Sequence, residues 1–203
     1  MKKQVNYQKK SDYEDYGSMH LYNFADKLNK ILNKIPYMSP NKITTFRNLL
    51  LLKICHKVFL KKDFTNLPIY VFSIGVLDCV DGEYARKFNM ITKFGDNYDH
   101  ISDLITNIIL LFIIFKYSDS KYNLLIALLF LYTASQQMIC AERYKKNYMN
   151  LETSRYSLNI LNSLCKYKSK AGLENFLKKY RFLGYGTYYM ILTILTSKLK
   201  KNI

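Results

Sequence analysis

Four long apolar segments interrupt a chain that is otherwise polar and basic. They occupy residues 64–80, 104–117, 122–141 and 182–199. Each approaches the roughly 20 residues that an α-helix needs to span a bilayer. Four such helices are more than one small soluble core can bury, so the pattern predicts a membrane protein built from packed helices.

A fifth apolar segment is weaker because Arg47, Lys53 and Lys57 interrupt it. Residues 155–168 are too polar to count as a sixth span. The pattern therefore predicts an all-α, polytopic membrane bundle of five to six transmembrane helices. The five spans that can be placed are 43–60, 64–81, 100–117, 122–141 and 182–199.

Residues 1–39 form a polar arm ahead of the predicted membrane domain, which occupies residues 40–203. A helical pattern in the arm places five apolar side chains on one face, namely Leu21, Phe24, Leu28, Ile31 and Leu32. That face suits either a membrane surface or ordinary packing against the rest of the protein. The first 20 residues lack an apolar core, so they do not read as a secretory signal peptide.

The formal net charge of +16 at pH 7 favours an anionic partner such as nucleic acid, a lipid surface or a phosphate-bearing substrate. Lys and Arg are concentrated in the arm and in residues 81–98 and 142–181, whereas the turns at 61–64 and 117–121 carry fewer. By the positive-inside rule, the basic segments face the cytosol. A soluble nucleic-acid-binding protein is another interpretation, but it leaves the apolar segments unexplained.

The four cysteines, Cys55, Cys79, Cys140 and Cys165, show neither CxxC spacing nor a zinc-type cluster with histidine. Unpaired cysteine is among the most buried residue types. We therefore predict that all four are small, buried, apolar residues.

The stretch LDCVDGEYARKFNMITKFGDNYDHISD holds four aspartates between two apolar segments. Asp78 and Asp81 are i, i+3 neighbours and Asp99 and Asp103 are i, i+4 neighbours, so each pair shares one helix face. If the two helices pack antiparallel, the pairs face each other. Four carboxylates beside lipid repel one another unless cations neutralise them, and hard oxygen ligands suit two Mg²⁺ or Mn²⁺ ions. Two such ions are suited to phosphoryl transfer from an activated diphosphate.

Residues 82–98, the predicted connection between the two helices, fit the same interpretation. Gly82 and Ala85 lack bulk, which lets a ligand approach the backbone. Arg86 offers a bidentate fork for phosphate. Gly95 permits a close contact at the start of the second helix.

With these residues in place, the stretch resembles the CDP-alcohol phosphatidyltransferase family, whose signature is D-x2-D-G-x2-A-R-x8-G-x3-D-x3-D. Its fixed positions are met by Asp78, Asp81, Gly82, Ala85, Arg86, Gly95, Asp99 and Asp103. Weaker similarity covers PNKITTFR, residues 40–47, which resembles the family's P-N-x-(I/L)-T-x-x-R entry to its first membrane helix. The resemblance implies helices around a polar active-site cavity, so charges within residues 43–60 can point inward.

The resemblance also implies roles for individual residues. Asp78, Asp81 and Asp99 match metal ligands of the family. Asp103 matches a residue that touches the second metal ion and serves as the general base. The candidate contacts to the CDP moiety are Asn41, Thr44, Gly82, Ala85, Arg86, Thr92 and Gly95. The implied reaction is displacement at the phosphorus of a CDP-alcohol by a second alcohol, with release of CMP and formation of a phosphodiester lipid.

Two features give different indications of the substrates. ITKFG, residues 91–95, resembles the T-x-F-G turn of phosphatidylinositol and phosphatidylglycerophosphate synthases. Asp99-His100 instead resembles the D-H-G-x-D motif of choline and ethanolamine phosphotransferases, which take CDP-choline or CDP-ethanolamine and diacylglycerol. A Ser-His pair frequent in phosphatidylinositol synthases is replaced here by Ser135-Gln136. We predict CDP-diacylglycerol as donor and a polyol as acceptor, with inositol slightly ahead of glycerol phosphate.

The remaining predictions concern partners and the status of the site. Membrane lipids and a CDP-linked substrate are the expected partners, a homodimer is one expected assembly, and no nucleic acid is expected. A catalytically inactive membrane scaffold is a third interpretation. The intact signature argues against it, since the loss of any one aspartate would be enough to inactivate the site.

Overall fold

The computed structural model describes residues 15–148 and 162–199, and these ranges are helical with no strand. Seven α-helices follow one another along them. They are α1 (Tyr16–Leu32), α2 (Pro40–Cys55), α3 (Leu67–Lys87), α4 (Lys93–Tyr117), α5 (Lys121–Tyr148), α6 (Lys170–Lys179) and α7 (Tyr185–Ser197). A π-helical turn, His56–Leu60, extends α2, and a 3₁₀ turn, Asn162–Leu164, precedes α6. The all-α prediction is therefore confirmed for the described residues.

Helix α3 lies at the centre of the bundle, in contact with α1, α2 and α7. Helix α4 packs against α2 and α5, and α5 also contacts α6 and α7. The main core is apolar and includes the buried side chains of Val71, Ile74, Leu110, Ile113 and Leu192. Burial of these side chains removes apolar surface from water or lipid and aligns the helices that carry the predicted site.

Helices α4 and α5 are each long and apolar enough to cross a membrane. They contain the predicted spans 100–117 and 122–141. Of the other three predicted spans, 43–60 is helical throughout, and 64–81 and 182–199 are largely helical. Within the described chain, however, only α4 and α5 are long and apolar enough to cross a membrane. Helix α7 has 13 residues, which corresponds to a length of only about 20 Å. Half of the polar segment 155–168 lies outside the described residues.

Large apolar side chains cover the outer surface of the bundle. Helix α4 exposes Ile101, Ile108 and Phe115, and α5 exposes Leu125 and Leu129. A soluble monomer rarely leaves such extensive apolar surface in water, whereas lipid solvates it without cost. The outer faces of α4 and α5 are therefore suited to contact acyl chains.

The predicted helix in the N-terminal arm is present as α1, and it packs against α3 and α7. Leu21 and Ala25 are buried in that contact, whereas Phe24 and Ile31 are 51% and 60% exposed. The apolar face is thus divided between packing on the protein and exposure. Ion pairs with Lys87 of α3 and Lys30 lower the pKa of the Asp26 carboxyl below its usual value, so this attachment has an electrostatic component.

Helices α1 and α7 cross with their backbones in contact. A Cβ atom added to Gly17 would lie 2.6 Å from the backbone nitrogen of Thr187, and one added to Gly186 would lie 2.2 Å from the backbone nitrogen of Ser18. The Asp15 carboxylate accepts from the backbone N–H groups of Gly17 and Ser18 and from that of Gly186 at 3.2 Å. One buried carboxylate therefore caps the first turns of two helices.

The prediction for the cysteines was wrong at two positions. Cys140, near the end of α5, and Cys165, before α6, form a disulfide. They are 25 residues apart in sequence, so no local spacing signals the pair, and α6 brings them together by packing on α5. Cys55 and Cys79 are free, half-buried thiols.

Replacement of both bridged cysteines, Cys140→Ser with Cys165→Ser, is expected to lower the free energy of unfolding by about 3 kcal/mol. The reason is that a crosslink across this span restricts the unfolded chain. Denaturant unfolding of the purified protein in detergent without reductant, so that the disulfide stays oxidised, measures the difference, with Cys55→Ser as the control. Equal stability of the double variant and the control would contradict a stabilising crosslink.

Candidate functional site

All of the residues predicted for the site line one cavity of about 620 Å³. They are Asn41 and Thr44 of α2, Asp78, Asp81, Gly82, Ala85 and Arg86 of α3, Thr92, and Gly95, Asp99 and Asp103 of α4. The cavity lies where α3 ends and α4 begins, with the start of α2 and the second half of α5 beside it. Folding therefore brings together positions that are up to 62 residues apart in sequence.

The predicted connection over residues 82–98 is mostly helical, which corrects its expected length. Helix α3 continues to Lys87, and α4 begins at Lys93. The chain reverses between them with Asn89 at a left-handed φ of 54°, and the Thr92 hydroxyl caps α4 by accepting from the Gly95 N–H at 3.0 Å. Gly82, Ala85 and Arg86 thus belong to the last turns of α3 and not to a loop.

The four predicted carboxylates surround the guanidinium of Arg47. Its Nη2 lies 3.1 Å from Asp99 Oδ1 and 2.9 Å from Asp103 Oδ1. Its Nη1 forms an ion pair with Asp78 and lies 3.8 Å from Asp81 Oδ2. The Arg47 side chain is fully buried. Sequence reasoning noted its charge and the motif that ends on it but did not assign it to the site.

The donor set fits a divalent cation. Carboxylate oxygens of Asp78, Asp99 and Asp103 all lie within 4.8 Å of one another. Asp81 is outside that group, and its Oδ2 accepts from the Thr44 hydroxyl at 2.8 Å. The buried Oδ1 atom of Asp81 has no hydrogen-bond partner, which leaves a costly unpaired acceptor on an acid that lines the same cavity. Hard oxygen ligands of this kind are those that Mg²⁺ and Mn²⁺ prefer.

Polar contacts between α2 and α4 hold this group of acids in register. Asn48 Nδ2 donates to Ser102 Oγ at 2.9 Å and to Tyr98 Oη at 3.1 Å. The hydroxyls of Thr45 and Tyr98 are 3.1 Å apart. Thr45 and Asn48 lie within two residues of Arg47, and Tyr98 and Ser102 directly precede Asp99 and Asp103. These contacts therefore fix how closely α2 approaches α4.

A second set of contacts connects the backbone of Asp103 with α7. Asn107 Nδ2 donates to the Asp103 carbonyl oxygen at 2.9 Å. The buried hydroxyl of Tyr188 donates to Asn107 Oδ1 at 2.7 Å. Helix α7 is thereby linked to the turn of α4 that carries Asp103. Sequence reasoning missed this link because Asn107 and Tyr188 lie in apolar segments far apart in the chain.

The two glycines of the signature have different surroundings. A Cβ added to Gly95 would lie 2.9 Å from both Asn41 Oδ1 and Thr92 Oγ1, so a side chain there would displace these two polar side chains. The three atoms nearest to a Cβ added to Gly82 would all belong to the Arg86 side chain, at 3.3 Å or more. Gly82 lines the cavity without a side chain of its own, and the approach of a ligand to its backbone stays a prediction.

The far wall of the cavity comes from residues that the motif does not contain. Helix α1 contributes Ser18 and Tyr22, α5 contributes Ser135 and Glu142, and α7 contributes Tyr185. The hydroxyls of Ser135 and Tyr185 are 3.4 Å apart. No spacing pattern marks these residues as neighbours, since they come from three separate helices.

Comparison with known proteins agrees with this geometry. The profile of the CDP-alcohol phosphatidyltransferase family matches residues 37–195, from just before α2 to within α7. No curated protein and no solved structure matches the chain. The matched range includes every residue of the acid cluster and leaves out α1. Members of the family are membrane-associated phosphotransferases of phospholipid synthesis that use divalent metals. The chain belongs to the CDP-alcohol phosphatidyltransferase family.

Proposed function

We propose that this enzyme transfers a phosphatidyl group from CDP-diacylglycerol to a polyol, with inositol slightly favoured over glycerol phosphate, and releases CMP. The observation that carries the proposal is the convergence of the complete eight-position signature on one cavity that also has apolar walls. A nucleic-acid-binding function would leave both the acid cluster and the apolar outer faces without a role.

The apolar part of the cavity supports a lipid donor. Leu131 and Met138 of α5 line it together with Ile101 and Leu104 of α4. The last two side chains are also 59% and 61% exposed. The cavity therefore borders the surface that faces acyl chains, and a diacylglycerol moiety can remain in lipid while its diphosphate reaches the acids.

Asp78, Asp81, Asp99 and Asp103 would hold two Mg²⁺ or Mn²⁺ ions, which together balance the four carboxylate charges. Bound divalent ions neutralise the charge that builds up on a diphosphate during phosphoryl transfer. The protein's own side chains complete the phosphate site. Arg86, on the last turn of α3, can donate to phosphate oxygens, and the small residues Gly82 and Ala85 on the same face leave room for the CDP moiety.

The reaction requires one proton transfer and one exchange at phosphorus. The Asp103 carboxylate accepts the proton of the acceptor hydroxyl. The acceptor oxygen forms a bond to the phosphorus of the phosphatidyl group, and the bond from that phosphorus to the oxygen of CMP breaks, with the electron pair leaving on CMP. Asn107 and Tyr188 orient the turn that carries Asp103.

The proposed enzyme is a multi-pass protein with its active site on the cytosolic face. Lys87 at the end of α3, Lys93 at the start of α4, and Lys145 and Lys146 at the end of α5 all belong to the end of the bundle that holds the cavity. By the positive-inside rule, that end is cytosolic. Helices α2 and α3 also expose apolar side chains such as Leu52 and Phe72, which supports more spans than α4 and α5 alone.

One observation favours a second candidate function. His100 lines the cavity directly beside Asp99, as expected if the Asp-His pair serves choline or ethanolamine transfer. In that case the donor is CDP-choline or CDP-ethanolamine, and diacylglycerol supplies the attacking hydroxyl.

The two functions are separated by offering the purified enzyme radiolabelled CDP-diacylglycerol, CDP-choline or CDP-ethanolamine, each with inositol, glycerol phosphate or diacylglycerol. We expect CMP release and one labelled phospholipid only with CDP-diacylglycerol, and the highest rate with inositol. The Asp78→Asn variant supplies the background. A product formed from CDP-choline or CDP-ethanolamine and diacylglycerol would replace the proposal with the second candidate.

A further inference from the structure

Arg47 is the one residue in the described chain that forms ion pairs with all four acids of the cluster. The guanidinium cannot lose its charge at any pH that proteins tolerate. Its side chain is fully buried on α2, while its partners come from α3 and α4. A buried charge is stable only if nearby opposite charges compensate it. Arg47 and the carboxylates therefore depend on each other for burial.

The partners of Arg47 include the carboxylates that form the candidate cation site. Asp78, Asp99 and Asp103 are the three acids whose oxygens converge within 4.8 Å, and each contacts an Nη atom of Arg47. The Nε atom of Arg47 is buried and has no hydrogen-bond partner. The guanidinium is therefore held through the contacts of its Nη atoms with the acids, whereas its Nε–H group makes no hydrogen bond.

We propose that Arg47 is an internal counter-ion of the active site, which holds the carboxylates together before a divalent ion binds and competes with that ion for them. The inference rests on the proposed role of the acids as metal ligands. Arg47 and the four carboxylates together carry a net charge of about −3, whereas the carboxylates alone would carry −4. The acids can therefore approach one another without metal. The same positive charge repels an arriving cation and limits its affinity.

This role separates two properties of the site. Arg47 should stabilise the metal-free fold, because it compensates four neighbouring carboxylates. It should also weaken metal binding, because the cation must share those oxygens with the guanidinium. A residue that only filled space in the bundle would contribute to the first property and leave the second unchanged.

The test compares the parent enzyme with Arg47→Met in detergent, by thermal unfolding in chelator and in Mn²⁺ and by titration with Mn²⁺ alone. In chelator, Arg47→Met should unfold about 10 °C lower than the parent. Mn²⁺ should raise its Tm by more than it raises that of the parent, and the Kd for Mn²⁺ should fall by about tenfold or more. Lys53→Met, which removes an exposed positive charge from the same helix, should match the parent in both respects.

An Mn²⁺-induced rise in Tm that is no larger in Arg47→Met than in the parent would overturn the counter-ion role while leaving the metal site intact. No Mn²⁺-induced rise in either protein would overturn the metal site as well. If Arg47→Met cannot be purified, Arg47→Gln decides the matter, because glutamine removes the charge but keeps hydrogen-bond donors beside the acids. Its Mn²⁺-induced rise should exceed that of the parent, and an equal rise would refute the proposal.

Discussion

Asp78→Asn is expected to reduce CMP release by about a thousandfold or more, and Asp81→Asn should do the same. Each change removes a charged oxygen ligand from the site where the protein would hold its divalent ions. Charge neutralisation by such ions lowers the activation free energy by several kcal/mol. The measurement is CMP release by the purified variants at saturating CDP-diacylglycerol and inositol. Asp119→Asn, an exposed acid in the turn between α4 and α5, is the matched control and should retain parental activity.

Metal removal provides an independent check of the same expectation. Excess chelator should abolish activity of the parent enzyme, and Mg²⁺ or Mn²⁺ should restore it. The Asn variants should recover little activity even at high ion concentrations, because the missing ligand cannot be replaced by mass action alone. Full CMP release in excess chelator would refute a metal-dependent reaction.

Asp103→Asn is expected to lower turnover by roughly 10²- to 10⁴-fold, the usual range for a lost general base, while binding of the CDP substrate stays nearly parental. Arg86→Ala should show the reverse and bind nucleotide more weakly, through loss of a charge-assisted contact to phosphate. The difference follows from position, since Arg86 lies in the last turn of α3 whereas Asp103 lies more than two turns into α4. Calorimetric titration of both variants with nucleotide and Mg²⁺ measures the two affinities.

The geometry also fits a second role for Asp103, that of a metal ligand. Its carboxylate belongs to the group of three that converges with Asp78 and Asp99, so it is also placed to act chiefly as a metal ligand. Asp103→Asn would then lose metal and nucleotide affinity together. If that variant loses nucleotide affinity as severely as Arg86→Ala does, the assignment of Asp103 as the base is wrong.

Much of the fold could be predicted because the apolar segments of α4 and α5 are long and nearly free of charge. The convergence of Asp78 and Asp81 with Asp99 and Asp103 was also predictable, since helical spacing puts each pair on one face. The length of the connection was not. Gly82 and Arg86 lie within α3, and the chain turns only beyond Lys87, where Asn89 adopts a left-handed conformation.

The role of Arg47 could not be derived from its own segment. A single cation within an apolar stretch interrupts a predicted span, and only the packing of α2 against α3 and α4 supplies the four acids that compensate it. The same limit applies to the disulfide between Cys140 and Cys165 and to the hydroxyl pair of Ser135 and Tyr185. In each case the partners come from elements whose relative placement depends on tertiary packing.

The contact between Gly17 of α1 and Gly186 of α7 bears on how the enzyme is made. Ser18 and Tyr22 reach the cavity from the first helix that the structure describes, and Tyr185 reaches it from the last. A ribosome synthesises the first of these walls long before the other. The cavity therefore acquires its complete lining only after α7 has left the ribosome. A partly synthesised chain that already has all four aspartates in place still lacks one side of the cavity.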